Sequence, residues 1–338
     1  MIKNMKTNKI AWLLIGAALL TGCAKSVSVS DNADNKAYIE AWMAKNHPGI
    51  SASGTGIYIL DDKAGTGTTY SGQDYVYIRF TIRDMNGNIS STTEAKTAQQ
   101  IGSYDKTYFY GPEVIYAGNE SLSVGMEDLL TGMKTGGTRT ALVPNWLMGY
   151  KRYDDAETYY EKASASDYSN TVYSITLVDT FDDETAWETD SLSRYLAKQF
   201  PTITKLEDGI YYQKVSGTST HTIPADSTVY INYTGRLLNG QVFDTNDEKT
   251  AKIAGIYSSS NTYKPTQVNW GEAYSDLTMG SSGTSMIEGF AKALFQMHPG
   301  EKGIAAFISD KGYGASGSGM IIPSYSPLLF EFELVPEP

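Results

Sequence analysis

The residues best suited to chemistry are a carboxylate and several aromatic side chains in the second half of the chain. Residues 231–245 read INYTGRLLNGQVFDT. The Asn-Gly pair at 239–240 predicts a tight turn between two arms of alternating apolar residues, which is the pattern of a β-hairpin. The second arm places Phe243 directly beside Asp244, opposite Tyr233 on the first arm. Asp244 alone would be an ordinary turn carboxylate, so its pairing with a large ring needs an explanation.

Other kinds of active site find little support in the sequence. Cys23 is the only cysteine. His47, His221 and His298 are far apart and lack the spacing of metal ligands or of a Ser-His-Asp arrangement. The segment GASGSG at 314–319 neither follows a strand nor opens a helix, and no Lys follows it, so it does not indicate a phosphate-binding loop. We therefore expect neither a metal nor another cofactor.

Length and charge limit the remaining possibilities. The chain has 338 residues, which is room for about two ordinary domains. Its formal net charge is −11, and no cluster of Lys or Arg lies outside the first ten residues. Because binding to phosphates needs a basic patch, we expect no nucleic-acid partner.

The first residues have the pattern of an export signal. Three lysines precede an apolar run, AWLLIGAALL, that is too short to span a bilayer comfortably. The run ends in LTGC, which resembles the lipobox of bacterial lipoproteins. The resemblance implies that residues 1–22 are a signal peptide and that Cys23 carries a lipid; the alternative is an ordinary secretory signal with a chance cysteine. The small polar residues that follow predict a flexible tether over 23–36.

The strongest organisational signal is an internal repeat. The segment LSVGMEDLLTGMKTGGTRTALVPNWLMG at 122–149 is similar to MIEGFAKALFQMHPGEKGIAAFISDKGYG at 286–314. The repeat predicts two domains of one design, over residues 37–182 and 185–338. The matching residues are Gly125, Met133 and Gly136 with Gly289, Met297 and Gly300, and Gly149 with Gly314.

Each half shows the same order of elements. A helix-like segment that ends before a proline is followed by strands with alternating apolar residues. One amphipathic helix lies between strands in each half; in the second half, Ser285 and Glu288 have capping-box spacing. A helix packed into a curved antiparallel sheet is an α+β unit, and we expect one such unit in each half.

The second half resembles the FKBP-type peptidyl-prolyl isomerase family. The resemblance rests on YTGRLLNGQVFDT, on SMIEGFAKALFQMHPGEKGIAAFI and on GYGASGSGMIIPSYSPLLFEFEL, and covers roughly residues 205–335. Together with the repeat, it implies two FKBP-like domains, each a twisted antiparallel half-barrel sheet wrapped around a short helix. It also implies a proline-binding pocket between the sheet and the helix.

The same resemblance assigns the pocket residue by residue. Phe243 would form a wall and Asp244 the polar rim, which accounts for their pairing in the hairpin. The Tyr313 hydroxyl and the Ile287 backbone N–H would donate hydrogen bonds to substrate carbonyl groups. Phe290 stands where the family usually has Trp. The implied catalytic residues are Tyr233, Phe243, Asp244, Ile287, Phe290, Tyr313 and Phe330, and the implied substrate contacts are Met286, Ile321 and Ile322.

The chemistry of this family requires few reactive groups. Rotation of an X–Pro bond breaks amide resonance against a barrier of about 18–20 kcal/mol. No covalent bond is made or cut, so no nucleophile, metal or general base is needed. The twisted amide has less charge separation than the planar one, so an apolar, water-poor pocket favours it.

The first half repeats the order of strands and helices but lacks the residues that the resemblance assigns to the pocket. The acid and both tyrosines are missing together, so we expect a degenerate domain that binds, spaces or dimerises. In place of Tyr233, Phe243-Asp244, Phe290 and Tyr313, the first half has Phe80, Ile89-Ser90-Ser91, Met126 and Met148.

In the second half, residues 246–276 are longer than the usual connection of the family. They predict a lid or a peptide-binding flap over the site, or else a solvated loop.

The sequence thus predicts a foldase that isomerises X–Pro bonds of envelope or exported proteins, with its catalytic site in the second half. Its partners would be proline-containing polypeptides and, through the lipid on Cys23, a membrane of the cell envelope, which we expect to be the outer membrane. The alternative is a non-catalytic lipoprotein on the same scaffold, which binds peptides as a chaperone or binds glycans through some of its 25 tyrosines.

Overall fold

The computed structural model describes residues 30–162 and 168–338. The predicted signal peptide at 1–22 and Cys23 lie outside the described residues. Within these ranges the chain forms two antiparallel sheets with helices packed against them, which confirms the predicted α+β class. None of the helices there combines the length and the apolar character that crossing a bilayer requires.

The first half is built on one antiparallel sheet. Its helices are α1 (Ser30–Asn46), α2 (Ala95–Gln100), α3 (Val124–Leu130) and α4 (Ala156–Lys162). Its strands are β1 (Tyr58–Lys63), β2 (Tyr75–Asp84), β3 (Ile89–Thr92), β4 (Glu113–Tyr116), β5 (Thr138–Val143) and β6 (Thr171–Phe181). The strands lie in the order β1-β5-β6-β2-β3, and β4 also pairs with β2.

The second half has a larger sheet of the same kind. Its helices are α5 (Glu184–Gln199), α6 (Glu248–Ala254) and α7 (Glu288–Leu294). Its strands are β7 (Thr204–Glu207), β8 (Ile210–Ser216), β9 (Thr228–Leu237), β10 (Val242–Thr245), β11 (Thr266–Asn269), β12 (Thr278–Met279), β13 (Thr284–Ser285), β14 (Lys302–Phe307) and β15 (Leu328–Val335). The order is β13-β12-β11-β9-β15-β14-β8-β7, with β10 paired to β9.

The alternation of apolar and polar residues along each strand decides which face of the sheet is buried. In β15, Phe330, Phe332 and Leu334 are buried and Glu331 is exposed, as the sequence predicts. The buried side chains form one cluster with Phe290 and other residues of α7. Burial of a large apolar side chain contributes about 1.5–3 kcal/mol, so this packing is a major source of the stability of the second half.

The central helix of each half lies close to its sheet because a glycine faces the sheet. A Cβ added at Gly289 of α7 would lie 2.3 Å from the ring of Phe307. At the matching Gly125 of α3, an added Cβ would lie 2.2 Å from the side chain of Val143. The repeated glycines of the sequence therefore mark the contact between helix and sheet in both halves.

The two halves also correspond in strand register. The hydroxyls of Thr81 on β2 and Thr92 on β3 form a hydrogen bond of 2.8 Å. Thr234 on β9 and Thr245 on β10 form the equivalent bond at 2.9 Å. This pairing aligns β2 with β9 and β3 with β10 residue by residue, so positions in the two halves can be compared directly.

The predicted tether is shorter than the sequence suggests. The expectation over 23–36 is wrong at its C-terminal end, because α1 begins at Ser30. Tertiary contacts hold this helix: Ile39 is buried against the first half, and the Asn35 side-chain oxygen accepts a hydrogen bond of 2.6 Å from Asn170. Such packing overrides a polar composition that favours disorder.

The start of α7 also differs from the prediction. The helix begins at Glu288, and Ile287 at its N-cap position makes no side-chain capping bond. Ser285 instead lies in β13, where it pairs with Thr278 of β12. The predicted capping box is therefore wrong, because strands of two residues carry too short a pattern to be distinguished from a helix cap.

The long connection at 246–276 is folded and is neither a solvated loop nor a lid. It contains α6 and β11, and β11 pairs with β9. Trp270 is only 5% exposed, and its ring stacks on Phe295 with centroids 5.6 Å apart. The first half has the same additions in α2 and in β4, which pairs with β2. This segment is therefore part of the common design of both halves.

The two halves meet along a direct contact. The strand β6 ends just before residues 182–183, and the Asp183 carboxylate caps α5 by accepting a hydrogen bond of 2.9 Å from the Ala186 N–H. Away from this connection, the Phe109 N–H donates a hydrogen bond of 2.7 Å to the carbonyl oxygen of Met320. The first half thus contacts the loop that precedes the last strand of the second half.

Candidate active site

A cavity of about 160 Å³ opens between α7, the β9–β10 hairpin and the β12–β13 hairpin. All seven predicted catalytic residues line this cavity, and so does one predicted substrate contact, Met286. Its other lining residues come from β12 and β13. The full lining is Tyr233, Phe243, Asp244, Met279, Thr284, Ser285, Met286, Ile287, Phe290, Tyr313 and Phe330.

A β-bulge explains how Phe243 and Asp244 come to line the same cavity. Val242 pairs with Arg236 and Asp244 pairs with Gly235, so β10 has one more residue than the facing part of β9. Neighbouring side chains of a regular strand point to opposite faces. The extra residue of a bulge changes that alternation, and both side chains therefore border the cavity.

Gly235 leaves the space that the aromatic walls occupy. A Cβ at this position would lie 2.6 Å from the ring of Phe243 and 2.8 Å from the ring of Phe330. The two rings meet edge to face, with centroids 5.5 Å apart and planes at 84°. Any larger residue on β9 at this point would clash with both rings, so these walls of the cavity would have to shift.

Phe290 forms the floor of the cavity and is only 4% exposed. Its ring makes edge-to-face contacts with Tyr233 at 5.8 Å, with Phe330 at 5.0 Å and with Phe332 at 4.7 Å. Such geometry places the positive edge of one ring against the negative face of the next, which is favourable and directional. The floor is therefore rigid as well as apolar.

The polar rim consists of one carboxylate and two phenols. The Tyr233 hydroxyl donates a hydrogen bond of 2.9 Å to Asp244 Oδ2. Burial raises the pKa of Tyr233 strongly, and the charge of Asp244 adds to the effect. Burial and the same carboxylate also raise the pKa of Tyr313. Both phenols are therefore protonated donors at neutral pH.

Two donors remain for a ligand at the mouth of the cavity. Tyr313 is 39% exposed, so solvent or substrate can reach it. Ile287 has an extended backbone, with φ −64° and ψ 146°. In the part of the chain that the structure describes, no protein group accepts a hydrogen bond from its N–H. The cavity thus combines an apolar interior with a few fixed polar groups at its edge, as small-ligand and peptide sites do.

Comparison with known proteins gives the family. A family profile described as "FKBP-type peptidyl-prolyl cis-trans isomerase" matches residues 219–335. The "FK506-binding protein 1A" of Aspergillus fumigatus is 33% identical over 107 residues, which are 32% of this chain and 74% of that protein. The chain belongs to the FKBP-type peptidyl-prolyl cis-trans isomerase family.

Two further similar proteins each match less than half of this chain. The "Macrophage infectivity potentiator" of Trypanosoma cruzi is 31% identical over 136 residues, 40% of this chain and 56% of its own length. The chain therefore spans little more than half of that relative. A solved peptidyl-prolyl cis-trans isomerase from Pseudomonas syringae is 26% identical, with 46% of this chain and 96% of that chain covered, at a TM-score of 0.31.

Two of the substrate contacts implied by the FKBP resemblance lie elsewhere. Ile322 is 3% exposed and belongs to the core of the second half, and Ile321 packs against that core. Neither is among the residues that line the cavity, so their contact with a substrate stays a prediction. Their position has a local reason: the Ser318 N–H donates a hydrogen bond of 2.7 Å to the Ile322 carbonyl oxygen, and this bond folds the loop back onto the core.

The sequence also misses part of the cavity. Met279, Thr284 and Ser285 line it from the β12–β13 hairpin. Gly280 and Gly283 of the connecting turn both have positive φ, at 71° and 69°, a conformation that glycine adopts without a steric penalty. The glycine spacing in MGSSGT is therefore the one sequence signal that could have indicated this hairpin.

The first half has the FKBP frame, but different side chains stand at the positions that form the cavity in the second half. In register with Gly235, β2 has Ile82, which packs against the core of the first half. On β6, Tyr173 is buried, and its hydroxyl lies 3.8 Å from the Met148 sulfur. In register with Asp244, β3 has Ser91. The polar rim is thus replaced by a sulfur, a serine and packed apolar groups.

Proposed function

We propose that this protein isomerises X–Pro peptide bonds and that the cavity of the second half is its active site. The supporting observation is that all seven residues implied by the FKBP resemblance line one cavity, although they come from β9, β10, α7, β15 and the loop before β15. Membership of the family and the apolar, directional aromatic floor both favour this activity over general peptide binding.

The aromatic interior acts on the rotating bond. The planar amide has more charge separation than the twisted one, so removing water destabilises the planar form relative to the twisted form. Phe290 supplies the floor under the proline ring, and Phe243 and Phe330 supply the walls. These rings are fixed by edge-to-face contacts of 5.0–5.5 Å, so the site does not reorganise around the twisted bond.

The rim holds the peptide while its bond turns. The Tyr313 hydroxyl and the Ile287 N–H are the available donors for substrate carbonyl groups. Asp244 is held by the Tyr233 hydroxyl at 2.9 Å, so its charge stays beside the carbonyl that rotates. We assign Asp244 an electrostatic role and no proton transfer, because the reaction neither makes nor breaks a covalent bond.

The proposal includes the location of the protein. The sequence LTGC and the apolar run before it support export and a lipid on Cys23. Anchoring in the outer membrane would place the enzyme among unfolded exported chains, so its substrates would be proline-containing segments of envelope or exported proteins. The first half, with its rim residues replaced, would bind or space these clients.

The test is prolyl isomerase activity of the chain from Ala24 onward, followed by protease coupling or by NMR exchange on a prolyl tetrapeptide. We expect Asp244→Ala and Tyr313→Phe each to lower kcat/KM by about tenfold or more, which is about 1.4 kcal/mol of lost transition-state stabilisation. The matched controls are Ser91→Ala and Met148→Phe at the corresponding positions of the first half, and these should keep full activity.

Two results would overturn this proposal. One is a wild-type rate no higher than the buffer rate, in which case tight binding of the same peptide would favour the non-catalytic alternative. The other is full activity of Asp244→Ala. A thermal melt of each variant separates loss of the site from loss of the fold, since a change at the rim should leave the melting temperature nearly unchanged.

A further inference from the structure

A second cavity, of about 220 Å³, lies where the two halves meet. It shares no lining residue with the active-site cavity. The first half contributes Tyr77, Phe109 and Glu113, α5 contributes Trp187, and the loop before β15 contributes Tyr325. The cavity thus exists only because the two halves are packed together.

The aromatic wall of this junction cavity is fixed in place. The Trp187 ring stacks on Phe181 with centroids 4.4 Å apart and planes at 9°, and the edge of Tyr77 meets it at 5.1 Å. The Trp187 Nε1–H donates a hydrogen bond of 2.9 Å to Asp179 Oδ2. Tyr77 and Trp187 both line the cavity, and the face of an aromatic ring attracts a cation placed over it.

Tyr325 closes the wall in an unusual backbone conformation. Its φ is +55°, which is rare for a residue with a large side chain and is often associated with functional sites. Its ring meets Tyr75 of the first half edge to face at 5.4 Å. The conformation is therefore maintained by a contact between the halves, at the border of the cavity.

Glu113 is the only charged residue among the described lining residues of this cavity. Burial raises the pKa of Glu113, with no hydrogen bond or opposite charge acting against it. A partly buried carboxylate without a cationic partner, beside several aromatic faces, is the arrangement that binds an ammonium or guanidinium group.

We infer that the junction cavity binds a Lys or Arg side chain of the same polypeptide whose proline occupies the active site. This inference rests on the proposed function. Tyr233 lines the active site and Leu237 the junction cavity on one strand, four residues or about 13 Å apart at 3.3 Å per residue. An extended client can therefore reach both cavities with a spacing of about four residues between its proline and its basic residue.

A hydrogen bond connects the two cavities more directly. The Tyr325 N–H donates a bond of 3.0 Å to the carbonyl oxygen of Gly314, which follows Tyr313 in the chain. A basic side chain held against Tyr325 thus lies beside the loop that presents the Tyr313 hydroxyl. The net charge of −11 also attracts cationic segments before they dock. The occupant favoured by this chemistry is a basic client peptide.

The experiment is titration calorimetry of the chain from Ala24 onward with capped prolyl peptides. Two peptides carry Lys, one of them four residues before the proline and the other four residues after it. Two matched peptides carry norleucine at the same positions. We expect the lysine peptides to bind about fivefold tighter, which is the usual scale of one cation–aromatic contact with a carboxylate nearby. Glu113→Gln should abolish this preference, and so should Phe109→Leu, which keeps an apolar side chain but removes a ring.

The control variant is Glu157→Gln, which removes an exposed carboxylate of α4 and changes the net charge equally. It should keep the preference for lysine. Equal binding of the lysine and norleucine peptides by the wild type would overturn the inference. It would also be overturned if Glu113→Gln and Glu157→Gln lost the preference for lysine to the same extent. Binding of free butylammonium without any lysine preference among the peptides would also overturn it, by assigning the cavity to a small amine.

The same set of proteins separates this inference from the proposed function. Glu113→Gln should isomerise a tetrapeptide that contains no basic residue at the wild-type rate, because such a peptide does not reach the junction. If no protein in the set turns over the tetrapeptide, the proposed function fails, and the calorimetric comparison still decides whether the junction cavity recognises lysine.

Discussion

The buried carboxylate of Glu188 accepts two hydrogen bonds from Ser309, one from its N–H and one from its hydroxyl, each of 2.6 Å. Glu188 lies on α5 and is 1% exposed. Ser309 begins the 3-10 turn that leads to Tyr313. The helix that connects the two halves therefore fixes the loop that presents the Tyr313 hydroxyl to the cavity proposed as the active site.

We expect Glu188→Ala to lower the free energy of unfolding by about 2–4 kcal/mol, because it leaves the buried N–H and hydroxyl of Ser309 without an acceptor and opens a small void. Urea denaturation measures the change. Asp190→Ala on the same helix is the control: it removes only an exposed ion pair with Arg194, which is worth less than about 1 kcal/mol. Equal effects of the two substitutions would contradict this role.

Glu188 also predicts a dependence of stability on pH. Burial is the main reason that its pKa lies above the ordinary value of 4.5, and the hydrogen bonds from Ser309 oppose the shift only in part. The stability linked to this group is therefore fully present below pH 4.5 and is lost as the pH rises through the folded pKa. In Glu188→Gln, which cannot ionise, unfolding free energies measured over the same range should lack this decline.

Much of the fold follows from local patterns in the sequence. The repeated glycines at 125 and 289 mark the contact between helix and sheet, because no other residue permits so close an approach. The alternation in β15 gives the buried face of the sheet. Only the family resemblance assigns Phe243 and Asp244 to one cavity. The physical cause, a bulge in β10, is not visible in a pattern with a period of two residues.

What the sequence could not give depends on contacts between distant residues. Glu188 and Ser309 are 121 residues apart, and no local pattern pairs them. The wall of the junction cavity combines Tyr77 with Tyr325, which come from different halves. Ile322 carries an apolar side chain that suits a pocket and a core equally, and only the fold of its loop decides between them. Local periodicity reports which face is buried and not what covers it.

Gly235→Ala should inactivate the enzyme more than it destabilises the fold. The added Cβ would lie within 3 Å of the Phe243 and Phe330 rings, so both walls of the proposed active site must shift. We expect kcat/KM to fall by about tenfold or more and the free energy of unfolding by about 1–3 kcal/mol, as for other overpacked sites. Gly54→Ala is the matched control, since an added Cβ there meets nothing within 4 Å. Wild-type activity in Gly235→Ala would mean that the rings do not form the walls.

Restoring the missing polar residues should not activate the first half. We expect Ser91→Asp with Met148→Tyr, placed in a chain that also carries Asp244→Ala, to show no more isomerase activity than Asp244→Ala alone. The reason is steric, because Ile82 packs against the core at the position of Gly235. Tyr173, at the position of Phe330, is itself buried in that core. Activity clearly above the Asp244→Ala background would show instead that the first half retains an open site and lacks only its polar groups.

The hydrogen bond between Tyr233 and Asp244 should be measurable through the ionisation of the phenol. Burial raises the pKa of Tyr233 above its ordinary value of 10, and the charge of Asp244 and its hydrogen bond raise it further. Asp244→Asn should therefore let Tyr233 ionise at lower pH than in the wild type. Ultraviolet absorbance of tyrosinate measures this, with Tyr233→Phe subtracted in each background so that only this phenol is observed.

Stability should follow the same ionisation. Because the folded pKa of Tyr233 lies above the unfolded value of 10, the stability linked to it is fully present below pH 10 and is lost as the pH rises through the folded pKa. Tyr233→Phe should unfold with a smaller alkaline loss than the wild type, while Asp244→Asn should lie between the two. An unchanged Tyr233 titration in Asp244→Asn would show that the carboxylate does not hold the phenol. Asp244 would then lack the fixed position that the proposed electrostatic role requires.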